Sequence, residues 1–434
     1  MATLNIPLLI FVFIIFALII ISYTQENIDF VAISIVLSFT AATVTGILMG
    51  TTINDFLQSI EFEAILVILS MSIITKIAQD SNILEYLAVK LFKISRGSQR
   101  VFFYLICIIT TLLAAIITDV VVVLILGPVV IRLCRFLKIR SGTYLLGMTI
   151  SINIGSIITP FSSGENIIIS TAFGLDTLYF IQNYWIFSFT LLLITIFLID
   201  RFYLSKEPKI EEQQKRFVLD LIDADVMVAN KKMFYFNSIA IMITIAFFAI
   251  LPLLYLTAVL SAFILVIINK RYTKKKAAVL LKDVEWEIIF FFISLYIVIG
   301  CLLQAGFKEI FEMIPFTAVD PILIALIILI AVSLISGFVA NTPTALVFIP
   351  IIETLTKEGF PSLPIYFAFI IGINLGGNLI PQGAACDVMT LKIAQDAGVE
   401  NFNYKRLLKV GATFAIIHII LSLGYTLILS LIFG

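Results

Sequence analysis

The sequence predicts an all-α polytopic membrane protein of about ten spans, made of two inverted repeats that each hold a re-entrant hairpin and a broken helix. Three observations predict it. First, the 434 residues are 61% hydrophobic and 13% charged, with a mean hydropathy of +1.14, a composition no soluble domain of this length carries. Second, Asp119 and Pro128 recur as Asn341 and Pro350 with the same spacing, and Asn153, Gly155, Pro160 and Asn166 recur as Asn374, Gly376, Pro381 and Asp387. Polar groups and helix breakers at membrane depth are costly unless they line a cavity or pathway. Third, of the 28 Lys and Arg, 25 fall in five clusters: four in 90–100, four in 132–140, seven in 201–232, six in 270–282 and four in 392–409. The positive-inside rule places all five in the cytoplasm.

Taken in order, apolar runs predict spans at 4–23, 30–50 and 62–79. The first lacks the basic leader and small-residue cleavage site of a signal peptide. Clusters of positive charge bracket 101–131, so both ends of that stretch share one side and the chain turns near Thr118 and Asp119: a hairpin entering from the cytoplasm. The run 141–174 is too long for one uninterrupted crossing and carries Asn, Gly and Pro near its middle, which predicts two half-helices joined by an unwound turn. A span at 180–200 closes the first repeat, 1–204. A polar cytoplasmic linker, 205–231, has room for a short interfacial helix. The second repeat, 232–434, has spans at 233–251, 254–269 and 287–304, a hairpin at 321–357 entering from outside, a second broken helix at 364–395 and a last span at 408–432. Threading the clusters through these spans puts both termini outside and turns the second repeat upside down relative to the first. Glu63 to Ser70 also resembles Glu287 to Ser294.

The hairpin tips and breaks are where chemistry is expected, because unwound backbone exposes carbonyls that suit cations and half-helix N-termini that suit anions. The first repeat offers Thr118, Asp119, Asn153, Gly155, Ser156, Thr159, Ser162, Ser163, Glu165 and Asn166. The second offers Asn341, Thr342, Thr344, Asn374, Gly376, Gly377, Asn378, Gln382, Gly383 and Asp387.

Three segments carry a family resemblance: SINIGSIITPFSSGENIII, SGFVANTPTALVFIPII and GINLGGNLIPQGAACDVMTLKIAQDAGV. Through them the chain resembles the ion transporter superfamily that includes arsenite permeases of the ArsB type, sodium/proton antiporters of the NhaD type and citrate or dicarboxylate transporters. The resemblance implies a scaffold and a transport domain, paired re-entrant hairpins, an elevator-like movement and a homodimer. It also implies ion and substrate sites at the tips and breaks, with sodium near Asp119, Asn153, Asn341 and Asn374. Against the family pattern, Asp119 and Asp387 stand where Asn is usual, Glu165 where Gln or Pro is common, and Ser162-Ser163 where Gly-Asn is usual. Carboxyls at neutral positions favour cation or proton coupling.

The remaining candidates have plainer readings. His418 lies in a continuous apolar span and reads as a packed residue, and Lys76 as a snorkelling side chain paired with Asp80. Cys107, Cys134, Cys301 and Cys386 lie far apart and read as buried hydrophobes. No Walker motif occurs, so energy comes from a sodium or proton gradient or from a separate ATPase subunit, and no cofactor is expected. Balanced charge gives no nucleic-acid footprint. With one isolated His and no HExxH, the chain does not read as an enzyme. The expectation is therefore a secondary active transporter of a small ion in the plasma membrane. Arsenite or oxyanion efflux, sodium/proton antiport and dicarboxylate carriage stay open, and a channel is the rival class.

Overall fold

The computed structural model describes the chain apart from residues 1–3, 24–27, 211, 214, 217–225, 227, 252, 274–276, 285, 314–318 and 434. Among the described residues there are ten α-helices before the linker and ten after it. The first ten are α1 (Ile6–Tyr23), α2 (Phe30–Met49), α3 (Ile53–Gln58), α4 (Phe62–Asp80), α5 (Ile83–Ile94), α6 (Gln99–Ala114), α7 (Asp119–Phe136), α8 (Gly142–Gly155), α9 (Gly164–Phe173) and α10 (Thr177–Phe202). The second ten are α11 (Lys231–Ile250), α12 (Leu254–Thr273), α13 (Ala277–Lys282), α14 (Trp286–Gln304), α15 (Phe307–Glu312), α16 (Pro321–Val339), α17 (Asn341–Lys357), α18 (Ser362–Gly376), α19 (Ala385–Asp396) and α20 (Tyr404–Phe433). Each helix of the first set has its counterpart ten places later.

Helix starts are set by short polar side chains that accept from orphan backbone N–H groups. Asp29, Ser98, Ser163, Asp176, Asn230 and Asp320 cap α2, α6, α9, α10, α11 and α16 in this way. The expected hairpins are the pairs α6–α7 and α16–α17, and the expected broken helices are α8–α9 and α18–α19. Among the described residues, ten helices are long and apolar enough to cross a membrane. They are not the ten expected spans: α8 is 14 residues long and falls short, whereas the hairpin arm α16, with 19, is long enough. The short helices α3, α5, α13 and α15 lie outside the expected spans. The counterparts α5 and α15 begin alike, since Asn82 before α5 (φ 56) and Gly306 before α15 (φ 95) are left-handed, and Glu85 and Glu309 follow three residues on. The interfacial helix expected in the linker lies largely outside the described residues.

Reciprocal packing reveals the two-fold relation between repeats. α2 packs on α14 as α12 packs on α4, α6 packs on α8 as α16 packs on α18, and α7 packs on α19 as α17 packs on α9. Each repeat crosses five times (α1, α2, α4, the α8–α9 pair and α10), and an odd number of crossings inverts the next copy. The basic clusters gather at one end, tied by Arg100 to Asp200 (2.8 Å), Arg406 to Glu207 (3.7 Å), Lys76 to Asp283 (3.5 Å) and Arg135 to the Ala397 carbonyl. Helices α1, α2, α4, α11, α12 and α14 form a scaffold, and α6–α10 with α16–α20 form a second body. The relation between these bodies is unequal. α9 packs on α4 and α17 on α14, while their counterparts α19 and α7 barely touch α14 and α4. The second body thus meets α4 and α14 of the scaffold chiefly through α9 and α17.

Candidate functional site

Each break starts where a glycine lets two helices touch. A Cβ on Gly155 would sit 2.3 Å from the Thr111 carbonyl oxygen of α6, and one on Gly376 would sit 2.3 Å from the Ser333 carbonyl oxygen of α16. The crowding at both glycines comes from the neighbouring hairpin helix rather than from the unwound segment itself. After Gly155, residues 156–163 leave the helix, and their bare carbonyls are taken up locally. Asn166 Nδ2 donates to the carbonyls of Ser156 (2.6 Å) and Thr159 (3.2 Å), Ser162 Oγ to those of Ser156 and Thr159, and Thr159 Oγ1 to that of Ala115 (2.6 Å). Ser163 then caps α9. In the second break a 3-10 turn, Gly377–Leu379, leads through Gly383 to α19. Gly383 is pressed between the carbonyls of Gly377 and Gly337, at 2.5 and 3.0 Å from a built Cβ.

The two breaks face each other and are locked by buried amides. Asn153 Nδ2 donates to Asn378 Oδ1 (2.7 Å), Ser156 Oγ to Asn374 Oδ1 (3.0 Å), and Asn374 Nδ2 to Asn166 Oδ1 (2.9 Å). Behind them Asp387 Oδ1 accepts from Thr149 Oγ1 (2.5 Å), and the Cys386 thiol donates to Asn153 Oδ1 (3.1 Å). Hydrogen-bonded amides inside a low-dielectric core are costly to separate, so the breaks behave as one rigid unit.

In front of this network lies a cavity of about 110 Å³ between the second body and the scaffold. Thr118, Asp119, Gly164, Glu165, Asn341, Thr342 and Gly383 line one side; Tyr23, Phe30, Ile68, Ser72, Phe291 and Phe292 line the other. Asn341 Nδ2 donates to Glu165 Oε1 (3.1 Å), joining the tip of one repeat to the break of the other. Four helix N-termini converge here: α7, α9, α17 and α19. Each presents roughly half a positive charge. Three carry a carboxyl in the first turn, Asp119, Glu165 and Asp387, and among the described residues no Lys, Arg or His lines the cavity.

The sequence-predicted residues thus divide. Asp119, Glu165, Asn341, Thr118, Thr342 and Gly383 reach the cavity, whereas Asn153, Ser156, Asn166, Asn374, Asn378 and Asp387 form the wall behind it. Thr344 bonds its own helix at the Ala340 carbonyl, Gly377 gives room to the Asn341 amide, and Gln382 turns away to accept from the Tyr404 hydroxyl (3.0 Å). Tyr23, Phe291, Phe292 and Thr149 were missed, since an aromatic or a Thr in an apolar span carries no signal by itself. His418 meets Thr195 at 2.8 Å, and Lys76 lies 3.8 Å from Asp80. The four cysteines are buried and free. Among the described residues no three His, Cys, Asp or Glu are grouped to hold a metal.

The turn of the second hairpin is strained. Ala340 sits at φ 82, ψ 158, a region occupied almost only by glycine, at a cost of about 1–3 kcal/mol. Replacing Ala340 by Gly is expected to raise stability by about 1 kcal/mol, after the added freedom of the unfolded chain is deducted. A thermal midpoint in detergent at or below that of the wild type would refute this.

Inverted repeats with broken helices meeting at a polar cavity define an integral membrane transporter. The chain belongs to the citrate transporter family, whose sequence profile matches residues 11–372. It is 25% identical over 409 residues to an uncharacterized transporter of Mycobacterium bovis, covering 90% of this chain and 94% of that one. It is also 25% identical over 352 residues to the 46 kDa membrane protein of Mycobacterium leprae, covering 78% and 80%. Its fold is similar to that of the YdaH transporter of Alcanivorax borkumensis, with a TM-score of 0.59, 11% identity and 86% of each chain covered.

Proposed function

We propose that the protein is a proton-coupled secondary active transporter that carries a small carboxylate anion, with coupling placed in Asp119, Glu165 and Asp387. The observation that carries this reading is the placement of three carboxyls on helix N-termini around one site. Ionised, they offset the positive ends of three of the four helices and disfavour an anion. Protonated, they free those ends, so anion entry and proton uptake become one event. Asp119 and Glu165, which line the cavity, act as internal stand-ins for the cargo. Basic residues gathered at one end support a cytoplasmic placement of that end in the plasma membrane, with both termini outside. The unequal seating of the second body supports an elevator-like exchange between two positions.

Uptake of labelled citrate and succinate into proteoliposomes is the test. A pH gradient alone should drive accumulation, and an uncoupler should abolish it. Sodium-driven uptake that ignores pH would move the coupling to the amide oxygens of the breaks; an ohmic current without accumulation would make the protein a channel.

A further inference from the structure

We propose that Tyr23, which belongs to the scaffold, is a cargo-contacting residue whose hydroxyl donates a hydrogen bond to the transported anion while the cavity lies toward the basic end. The proposal rests on the transport reading above and adds a binding group that none of the repeat motifs contains. Tyr23 is the last residue of α1 and lines the cavity opposite the hairpin tips. Its ring stacks on Phe291 with centroids 4.7 Å apart and planes 14° apart, and meets Phe30 edge-on at 5.3 Å. Phe30 in turn meets Phe291 edge-on at 5.6 Å, so three rings hold one another in place. A ring pinned on two sides has its hydroxyl direction set by the packing. Asp119 and Glu165 line the same cavity.

The chemistry follows from this placement. A phenol is a good donor to a carboxylate. With Asp119 and Glu165 ionised, their charge repels an anion from that donor; once both hold protons, an anion can enter the same space. Because Tyr23 is fixed to the scaffold, the cargo meets it in one seating of the second body and leaves it behind in the other. Across the two-fold relation Phe291 and Phe292 are answered by Val67 and Ile68, so the ring that Tyr23 stacks on has no aromatic counterpart there. The contact should therefore raise affinity on one face of the membrane only.

Tyr23→Phe keeps the ring stack and removes only the hydroxyl. In oriented proteoliposomes moving labelled citrate or succinate, the apparent KM at the basic-end face should rise about tenfold, the size of one hydrogen bond to a charged group. KM at the other face and the maximal rate should stay within about twofold of the wild type. A role confined to packing predicts no change, because the rings remain. An unchanged KM at the basic-end face, or an equal rise at both faces, overturns the proposal while leaving the transport reading in place. Wild-type vesicles that move neither anion would overturn both.

Discussion

Asp387→Asn and Asp119→Asn are each expected to abolish pH-driven accumulation while leaving a folded protein that still exchanges cargo for cargo. The internal repeat supplies the control for folding. Across the two-fold relation Asp387 is answered by Asn166 and Asp119 by Asn341, so an amide already fits both backbone settings. Asn at 387 also keeps the acceptor oxygen that Thr149 uses at 2.5 Å, and Asn at 119 keeps the one that accepts from the Val120 N–H at 2.8 Å. What disappears is the proton. An amide is neutral at every pH, so it fixes the site in the form that admits an anion and removes the linkage between proton and cargo. Accumulation should fall by about tenfold or more in each variant, with counterflow kept within about threefold. Wild-type accumulation in both variants would reject the coupling role, and loss of counterflow as well would point to a binding role instead.

Gly155→Ala and Gly376→Ala should each destabilise the protein by about 3 kcal/mol, the upper end of the cost of forcing a methyl into a packed core. The obstruction is backbone: Thr111 carbonyl oxygen and Cα at 2.3 and 2.9 Å for one, and Ser333 carbonyl oxygen and Cα at 2.3 and 2.6 Å for the other. Neither can rotate aside, so α8 must lift from α6, or α18 from α16, and the amide lock between the breaks is pulled apart. Gly424, with no atom within 4 Å of a built Cβ, is the control and should tolerate Ala. Thermal unfolding in detergent reads the difference; equal midpoints for all three variants would mean that the close approaches are not tight.

Much of this architecture was legible because lipid forbids unsatisfied backbone. Asn153, Gly155 and Pro160 inside an apolar run have few explanations, and their reappearance as Asn374, Gly376 and Pro381 leaves a broken helix as the economical one. The tips were legible for the same reason, through Asp119 and Asn341. Short helices were not. α5 mixes Lys90 and Lys93 with apolar residues, and its 12 residues are too few to span, so it reads as a basic loop although its buried face packs on α7. The aromatic wall was hidden by its surroundings, because Phe291 and Phe292 look like any lipid-facing pair until the fold turns them toward Asp119 and Glu165. Roles within the motif were blurred too: Asn374 and Asn153 look like ligands in sequence, yet their amides hold the two breaks together.

The lopsided seating of α9 on α4 and α17 on α14 has an energetic corollary. Under the proposed elevator-like exchange, two copies of one unit arranged unequally imply a mirror arrangement in which each copy takes the other's place, with α19 on α14 and α7 on α4. If the copies were identical, the two arrangements would be isoenergetic and the carrier would rest in each half the time. Its resting preference must therefore be encoded wherever the copies differ in sequence, and Phe292 against Gly164 in one arrangement versus Ile68 against Ala385 in the other is such a difference. Divergence between the halves is in this sense the molecule's thermostat for which way it faces.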